Sequence, residues 1–305
     1  MTTLGIVIVN WNGGQYIVNC INSILRSNQK CFILEKIVVV DNGSTDNSLE
    51  SLYLFKGLTV VENKANYGFG RACNIGAKLI NSPLILFLNP DIVLLPDTLD
   101  KSVAFYIENK DRLNFGILSV QLHDENMQID KSCSRFPSVY RILADSSGIS
   151  KIFKRAGMKM RDFDHKKNMI VEQVIGAYFL LERKLFIELY GFDERFFVYF
   201  EEVDFSYRAK QIGINSFYYV GTSAMHIGGG CSRNVKARRL CYLLTSKIAY
   251  AKKHFSRVGY IIILGITLLI EMIARIIFLT VKLDFIGVYE VVRAYCLLLM
   301  RVLNK

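Results

Sequence analysis

The sequence predicts an α/β fold built on a mostly parallel central sheet. Three observations lead to this prediction. The first 120 residues alternate short apolar runs with amphipathic stretches, the runs are rich in Val, Ile and Leu, and the stretches have helical spacing. Strands that alternate with helices form right-handed βαβ units. With 305 residues, 51% of them hydrophobic, the chain is long enough for one large domain and an appendage.

The apolar runs of the first half are strands 4–9, 36–40, 58–61, 83–88 and 115–120, and the helices between them are 16–25, 48–55 and 71–80. Residues 121–170 are less regular and carry a basic patch at 151–167, which we interpret as an excursion over the sheet that flanks the acceptor. Regular structure returns as a strand at 174–181, helices at 183–190 and 203–212, and a strand at 215–220.

Polar side chains follow three of these strands. Asn10 and Asn12 come after the first, Asp41 after the second, and Asn89 and Asp91 after the fourth. Ligands of such sheets bind beyond the carboxyl ends of the strands. The sequence therefore predicts that these polar groups converge on one site.

Two further features point to a bound phosphate and a metal ion. Arg71 begins the helix after the third strand, where a guanidinium and the helix N-terminus can meet a diphosphate. Asp91 ends a fully apolar strand, where a carboxylate is costly unless it meets a cation. Mg²⁺ or Mn²⁺, held by one or two protein oxygens and substrate phosphates, suits this position. A simple Asx turn is the alternative.

A general base is predicted in the segment 191–208. Glu201 and Glu202 follow an aromatic run, and adjacent carboxylates in a partly dry cleft raise one another's pKa. The alternative is that these acids only match the dipole of the helix that they open. His226, in front of a Gly-rich segment, is a candidate metal ligand.

The positive charge of the chain lies mainly in its tail. The net charge is +11, and residues 232–305 hold thirteen Lys or Arg against three acids. An anionic partner is therefore expected. Apolar residues between the charges favour a membrane surface over nucleic acid. Seven scattered cysteines without a CxxC spacing indicate reduced thiols, and the N-terminus lacks the basic region of a signal peptide, so we expect the catalytic part in the cytoplasm.

The insertion free energy expected for residues 260–281 does not distinguish a helix that crosses a membrane from one that lies on its surface. Their fourteen Ile, Leu, Phe and Val favour insertion by about 4 to 8 kcal/mol, and Glu271 and Arg275 oppose it by about 5 to 7 kcal/mol. We predict a pair of in-plane amphipathic helices, at 260–281 and 285–303, on anionic lipid. A helical core element or a homo-oligomer contact is the alternative.

Together, the motifs VIVNWN, VDNGSTD, NYGFGRACN, FLNPD, GAYFLLER, FDERFFVYFEEVDFSYR and MH resemble those of family 2 glycosyltransferases with the GT-A fold. Within that family they are similar to the rhamnosyltransferase-like branch and its galactofuranosyltransferase relatives. The resemblance runs from about residue 4 to 230. It implies a GT-A domain at 1–230 and a basic, apolar membrane-association region at 231–305.

The resemblance also implies roles for individual residues. Asp41 would bind the donor base, with Asn10, Asn12 and Asn89 nearby, and Asn66 and Arg71 would line the diphosphate and ribose. Asp91 and His226 match the metal ligands. Glu202 matches the catalytic base, while Glu201 and Asp204 would contact the acceptor or hold the loop.

The sequence departs from the family pattern twice. Asn89 replaces the first acid of the DxD motif, as in the rhamnosyltransferase-like branch, and leaves Asp91 as the main carboxylate ligand. Glu202 stands where the family usually has Asp, and we expect the acceptor pocket to compensate.

The expected activity is inverting, metal-dependent transfer of a sugar from a nucleoside diphosphate to a lipid-linked or cell-envelope saccharide, as in O-antigen assembly, at the cytoplasmic face of the cell membrane. Deoxythymidine-diphosphate rhamnose is the first expected donor. A UDP-hexose or UDP-galactofuranose donor is one alternative, and a nucleotide-sugar-binding protein without transferase activity is another. A processive synthase is excluded because such enzymes carry a QxxRW motif. The single Trp of this chain, Trp11, does not follow an Arg, so the motif is not present.

Overall fold

The computed structural model describes residues 1–228 and 236–303 and confirms the α/β fold. Its strands, in chain order, are β1 (Thr2–Asn10), β2 (Phe32–Asp41), β3 (Leu58–Glu62), β4 (Leu84–Leu88), β5 (Ile92–Leu94), β6 (Phe115–His123), β7 (Cys133–Ser134), β8 (Met169–Val171), β9 (Gln173–Val174), β10 (Tyr178–Glu182) and β11 (Asn215–His226). The predicted boundary between residues 230 and 231 lies outside the described residues.

The central sheet has the strand order β3-β2-β1-β4-β10-β6-β11-β5, and β8 pairs with β11. Strands β1 to β4 are mutually parallel, and so are β6 and β11. Strand β10 is antiparallel to both of its neighbours and joins these two parallel groups. The carboxyl ends of β1, β2 and β4 therefore share one edge, as the sequence predicted.

Helices cover both faces of the sheet. They are α1 (Gly14–Leu25), α2 (Ser48–Leu52), α3 (Phe69–Ala77), α4 (Thr98–Asn109), α5 (Val139–Ser146), α6 (Ile149–Ile152), α7 (Arg183–Glu188) and α8 (Glu201–Gln211). Side chains of β1 alternate between the two cores: Ile6 and Ile8 pack with α1, whereas Val7 and Val9 pack with α3. This alternation places the strand ends between two rigid helical layers.

Two parts of the prediction were wrong. The apolar run 174–181 is not one strand, because β9 ends at Val174 and pairs with β7 in a separate two-stranded sheet. Residues 175–177 then cross to the central sheet, where the carbonyl of Ala177 accepts the N–H of Asn89 at 2.9 Å. The irregular stretch 121–170 also contains an ordered helix, α5, capped by the hydroxyl of Ser138.

The tail is helical. It consists of α9 (Lys236–His254), α10 (Arg257–Gly265), a π-helical turn (Ile266–Ile270), α11 (Glu271–Val281) and α12 (Phe285–Leu303). Helices α10 and α11 and the π-helical turn form one 25-residue helix that, among the described residues, is long and apolar enough to cross a membrane. Helix α9 packs against α12, while Ser246 of α9 also donates to the carbonyl of Val198 at 2.8 Å. The tail is thus joined directly to the segment in front of α8.

A buried ion pair anchors this long helix. Glu271 and Lys247 are both buried and in direct contact, and Arg275 donates to Glu271 at 2.7 Å, which confirms the (i, i+4) spacing as a contact. Ser146 of α5 donates to the same carboxylate at 3.3 Å. The charged face of the helix therefore lies against the protein.

Replacing Glu271 with Ala is expected to lower the free energy of unfolding by about 3–5 kcal/mol, because the Lys247 ammonium would stay buried without this partner. The double variant Lys247→Met/Glu271→Leu should lose much less, since it removes both charges and keeps the volume. Urea unfolding followed by circular dichroism, in one detergent-containing buffer, measures both. Equal losses in the single and double variants would contradict the ion-pair explanation.

Candidate active site

The ends of β1 and β2 are joined by a buried hydrogen-bond network. Asn10 and Asp41 are both buried, and the Asn10 amide donates to Asp41 Oδ1 at 2.8 Å. The Ser44 hydroxyl donates to the same oxygen at 2.6 Å, and the Ser44 N–H donates to Asp41 Oδ2 at 3.0 Å. The two predicted site residues thus lie together and define the turn that follows β2.

Asn12 holds the same turn from the other side. Its backbone is left-handed (φ 51°), its N–H donates to the Ser44 hydroxyl at 2.9 Å, and its Oδ1 accepts the N–H of Thr45 at 2.7 Å. Asp46 accepts the N–H of Gly14 at 2.9 Å and also the N–H of the first residue of α2 at 3.1 Å. Hydrogen bonds between the two strand ends therefore preorganise the edge of the sheet.

Asn66 shapes the loop in front of α3. Its Oδ1 accepts from the Asn42 amide at 2.9 Å and from the N–H of Gly68 at 2.9 Å. The N–H of Phe69 donates to the carbonyl of Phe197 at 2.6 Å. This contact places the aromatic loop in front of α8 directly against the start of α3.

Only glycine fits at position 68. Its φ is +89°, and a Cβ there would overlap the carbonyl oxygen of Phe197. The backbone conformation and the close approach of the two loops both require a residue without a side chain.

Gly68→Ala is expected to cost about 1–3 kcal/mol of stability and to lower activity by displacing the 197–200 loop. Gly57→Ala is the matched control, because Gly57 has a similar φ of +85° and a Cβ there meets nothing within 4 Å. Melting temperature and turnover would be measured for both. If the two variants behave alike, the contact with Phe197 has no role beyond backbone strain.

Arg71 projects from the first turn of α3. Its guanidinium lies 4.6 Å from the centre of the Tyr67 ring and 3.7 Å from Glu194, and both partners of that ion pair are about half exposed. A long, exposed ion pair contributes little free energy, so the guanidinium can turn to a diphosphate at small cost. Its position at a helix N-terminus favours an anion.

Asp91 and His226 meet beyond the end of β4. Asp91 is buried, and its Oδ1 lies 3.6 Å from His226 Nε2. The other ring nitrogen, Nδ1, lies 3.3 Å from Asp130 Oδ2. Burial opposes a charge on the ring, but the hydrogen bond to Asp130 and the charge of Asp91 outweigh it and raise the pKa of His226. Asp91 and Asp130 thus flank opposite sides of one imidazole.

The sequence prediction missed Asp130. A carboxylate on Nδ1 fixes the tautomer of a metal-binding histidine and aims its Nε2, and here Nε2 faces Asp91. Asp130 lies 96 positions before His226 in an irregular stretch, so no local motif identifies it. Only the pairing of the chain segments brings the two residues together.

The donor set fits a divalent metal that the substrate completes. Among residues 1–228 and 236–303, no group of three or more His, Cys, Asp or Glu could hold an ion by itself. One carboxylate and one imidazole can bind Mg²⁺ or Mn²⁺ when phosphate oxygens fill the remaining positions. Asp91 and His226 are the residues that would do so here.

Glu201 and Glu202 open α8 as predicted. Burial raises the pKa of Glu202 to about 7. Burial, and then the charge of Glu202, raise the pKa of Glu201 well above its usual value. In the described part of the chain, one buried oxygen of each carboxylate has no hydrogen-bond partner. Glu202 therefore has the protonation behaviour of a base near neutral pH.

The two carboxylates face different neighbours. A Cβ built on Gly176 would lie 3.6 Å from the Cβ of Glu202, and a Cβ on Gly70 would lie 3.4 Å from that of Glu201. Gly176 precedes Ala177, which hydrogen-bonds to Asn89 at the end of β4. Glu202 thus stands beside the strand end that carries Asp91, whereas Glu201 packs against the start of α3.

Two strained residues orient this pair. Tyr199 and Phe200 have φ values of 67° and 71°, although neither is glycine. Consecutive bulky residues in the left-handed region cost on the order of 1–3 kcal/mol each and persist only where packing enforces them. The ring of Phe200 packs 5.5 Å from Tyr250 of α9, so the tail helix contributes to that packing.

Asp204 holds the loop in place through ion pairs. It is fully buried, and its carboxylate contacts Arg208 at 2.8 Å, His254 at 2.6 Å and Lys253 at 2.5 Å. Burial opposes its charge, but the hydrogen bonds to His254 and Lys253 and the charges of Arg208 and Lys253 keep its pKa below the usual range. Asp204 thus ties α8 to α9, and its contact with the acceptor stays a prediction.

The fold and the arrangement of the site are those expected of a nucleotide-sugar transferase of the GT-A type. Polar strand ends, an exposed arginine at a helix start, an Asp–His pair and a half-buried glutamate with a raised pKa, Glu202, occupy one edge of the sheet. The sequence model of glycosyl transferase family 2 matches residues 5–204, and the chain belongs to this family. The protein is therefore a glycosyltransferase.

Similar proteins agree with this assignment. The chain is 26% identical over 223 residues to rhamnosyltransferase WbbL of Escherichia coli K12, covering 70% of this chain and 81% of the relative. It is 22% identical over 240 residues to the N-acetylglucosaminyl-diphospho-decaprenol L-rhamnosyltransferase of Mycobacterium tuberculosis H37Rv, covering 73% of this chain and 75% of the relative. Family 2 membership with rhamnosyltransferase homologues is thus confirmed at low identity.

Solved structures show the same fold. The mannosyltransferase PcManGT of Pyrobaculum calidifontis, in complex with GDP-Man and Mn²⁺, superposes with a TM-score of 0.55 at 15% identity, covering 95% of this chain and 73% of the other. GalNAc-T7 with UDP, GalNAc and Mn²⁺ gives a TM-score of 0.58 at 17% identity, covering 83% of this chain and 50% of the other. At these identities the likeness supports the GT-A fold alone.

Proposed function

We propose that the chain transfers rhamnose from deoxythymidine-diphosphate rhamnose, with inversion, to a hydroxyl of a lipid-linked or cell-envelope saccharide. The observation that carries the proposal is Glu202, which has a buried oxygen without a hydrogen-bond partner among the described residues and a pKa raised to about 7. The two rhamnosyltransferase relatives support the donor and the acceptor class.

Different residues would bind the donor, stabilise the leaving group and accept the proton. Asp41 and Asn10 would bind the donor base, and Arg71 would offset charge on the departing diphosphate. Glu202 would take the proton of the acceptor hydroxyl as its oxygen attacks the anomeric carbon. The bond from that carbon to the diphosphate breaks as the new bond forms, and its electrons leave with the nucleoside diphosphate. A single displacement inverts the anomeric configuration.

The metal site is part of the proposal. Asp91 and His226 would hold Mg²⁺ or Mn²⁺, with Asp130 fixing the imidazole. A divalent ion in this position supplies charge stabilisation to the leaving group. The Mn²⁺ in the two similar structures supports a divalent metal without distinguishing it from Mg²⁺.

We also propose that the tail lies on the cytoplasmic face of the cell membrane. Its long helix keeps the Glu271 face against the protein and exposes apolar side chains on the other, namely Val258, Ile261, Ile262, Leu269, Ile270, Ile273, Ile277, Phe278 and Val281. Such a surface, with basic residues around it, suits an anionic lipid interface. A lipid-linked acceptor would be reached from there.

Release of nucleoside diphosphate, measured across a donor panel with Mg²⁺ or Mn²⁺ and membrane extract as acceptor, tests the function. We expect release with the rhamnose donor, dependence on metal, and an inverted anomeric centre by nuclear magnetic resonance. If the enzyme prefers a UDP-hexose, the proposed rhamnose donor is wrong. This outcome is tested because the chain is 23% identical to the hexosyltransferase Agl10 of Haloferax volcanii. A product of retained configuration would remove Glu202 as the base of a single displacement.

A further inference from the structure

The catalytic domain carries an exposed apolar segment with basic neighbours at residues 149–155. Ile152 and Phe153 are 77% and 66% exposed, and Ile149 is 45% exposed, although the segment is ordered as α6 and the turn after it. These three side chains lie within five residues of one another, and none of them belongs to the site residues described above. Exposed apolar clusters of this kind mark interaction sites.

Helix α5, which directly precedes this segment, runs alongside the long helix of the tail. Ile142 of α5 packs with Ile263 and Ile266, and further along α5 the Ser146 hydroxyl meets Glu271. Later positions on α5 thus contact later positions on the tail helix, so the two helices run in the same direction. The excursion and the tail helix are therefore neighbours over several turns.

The two elements also meet at their ends. The ammonium of Lys151 lies 3.9 Å from the centre of the Phe278 ring, and Phe278 belongs to the exposed apolar face of the tail helix. This contact makes the 149–155 segment continuous with that face. The exposed apolar surface therefore extends from the tail to the catalytic domain.

The charge around the segment is complementary to anionic lipid. Residues 146–161 include five Lys or Arg and no Asp or Glu. Arg155 is largely exposed, and its contact with Asp162 is long, at 3.5 Å. Apolar side chains with a basic rim are the pattern of interfacial membrane segments, where the apolar groups enter the headgroup region and the cations meet phosphates.

We propose that the 149–155 segment is a second membrane-docking element, which inserts Ile152 and Phe153 into an anionic lipid surface beside the tail helix. This inference rests on the proposed membrane association of the tail and adds a contact from within the catalytic domain. Two separate contacts fix the orientation of a protein on a surface, which a single helix does not. Helix α5 begins three residues after Phe136, whose ring packs 5.2 Å from Tyr207 of α8, so the docked surface is linked to the catalytic helix.

Vesicle binding of the full chain tests this inference. The variant Ile152→Glu/Phe153→Glu is expected to bind vesicles of equal parts phosphatidylcholine and phosphatidylglycerol about tenfold more weakly or worse. The matched control is Leu25→Glu/Leu54→Glu, which adds two acids at exposed apolar positions, 48% and 84% exposed, on α1 and just after α2. Equal binding by the two variants, both with unchanged melting temperatures, would overturn the proposal.

Tryptophan fluorescence gives a second measurement, which does not require a variant with weakened binding. In Phe153→Trp, we expect the added fluorescence to shift to shorter wavelength with anionic vesicles and to be quenched by brominated lipids, relative to the parent with Trp11 alone. Absence of quenching while the protein is bound would overturn the proposal. Equal binding to vesicles of pure phosphatidylcholine would overturn its electrostatic part. A change in oligomeric state of Ile152→Glu/Phe153→Glu with unaltered vesicle binding would show a protein contact instead.

The tail and the enzyme are tested separately. If Ile273→Glu/Ile277→Glu abolishes binding and Ile152→Glu/Phe153→Glu has no effect, the tail proposal stands and the second element is refuted. Nucleoside diphosphate release in solution, without vesicles, reports on catalysis alone. Failure of the proposed enzymatic function would appear there and would leave the binding results interpretable.

Discussion

Glu202→Gln is expected to lower the rate of glycosyl transfer by about 10²- to 10⁴-fold, the usual contribution of a general base. The amide keeps the size of the side chain but cannot accept the acceptor's proton. Nucleoside diphosphate release and saccharide product would be measured together. Glu188→Gln, at an exposed position on α7, is the matched control and should be unchanged.

The pH profile distinguishes a base from a residue that only positions the acceptor. The pKa of Glu202 is raised to about 7, so the carboxylate is mostly protonated below that pH and ionised above it. Activity of the parent should therefore rise as the pH increases through about 7, whereas the residual activity of Glu202→Gln should not show this step. A variant that loses activity but keeps the step would contradict the assignment.

Glu202→Asp and Glu201→Gln sharpen the test. The family usually has Asp at the position of Glu202, so the shorter acid should retain more activity than the amide, although a shift on the order of 1 Å can cost about 10²-fold. Glu201 is buried against the start of α3, and burial, together with the charge of Glu202, raises its pKa and so favours the neutral form that an amide resembles. Glu201→Gln should therefore be tolerated much better than Glu202→Gln.

Much of the fold follows from local patterns. The first strands are continuous runs of Val, Ile and Leu, and their carboxyl ends carry Asn10, Asp41 and Asp91. Parallel βαβ units bring such ends to one edge by topology alone. The convergence of these residues was therefore predictable without knowledge of any side-chain contact.

The missed features depend on contacts between distant segments. Asp130 approaches His226 only because β11 pairs with β6. The ion pairs of Asp204 depend on Lys253 and His254, which lie about 50 positions away on a helix that the prediction assigned to the membrane region. The strand break at 175–177 carries no polar residue, so hydrophobicity could not reveal it. Nor does any glycine mark the left-handed turn before α8.

Asp91→Asn is expected to lower transfer by about 10²- to 10³-fold, comparable to the loss of one group that stabilises developing charge in a transition state. The amide is neutral and a weaker ligand, so the metal–diphosphate unit would be held less tightly. Binding of Mn²⁺ in the presence of nucleoside diphosphate, followed by electron paramagnetic resonance, would show the same direction. Asp111→Asn, whose exposed carboxylate precedes β6 near the opposite edge of the sheet, is the control.

A variant of Asp130 tests whether Asp91 and His226 bind the metal ion or contact the donor directly. Asp130→Asn keeps the side-chain size but removes the charge that faces His226 Nδ1. Loss of a carboxylate that orients a metal-binding histidine typically costs about 10- to 100-fold in metal affinity. A higher Mn²⁺ concentration should restore part of the activity of Asp130→Asn, because the proposed ligands Asp91 and His226 remain in this variant. Asp91→Asn should recover less. Equal and metal-independent losses in the two variants would mean that Asp91 and His226 bind the substrate and not the ion.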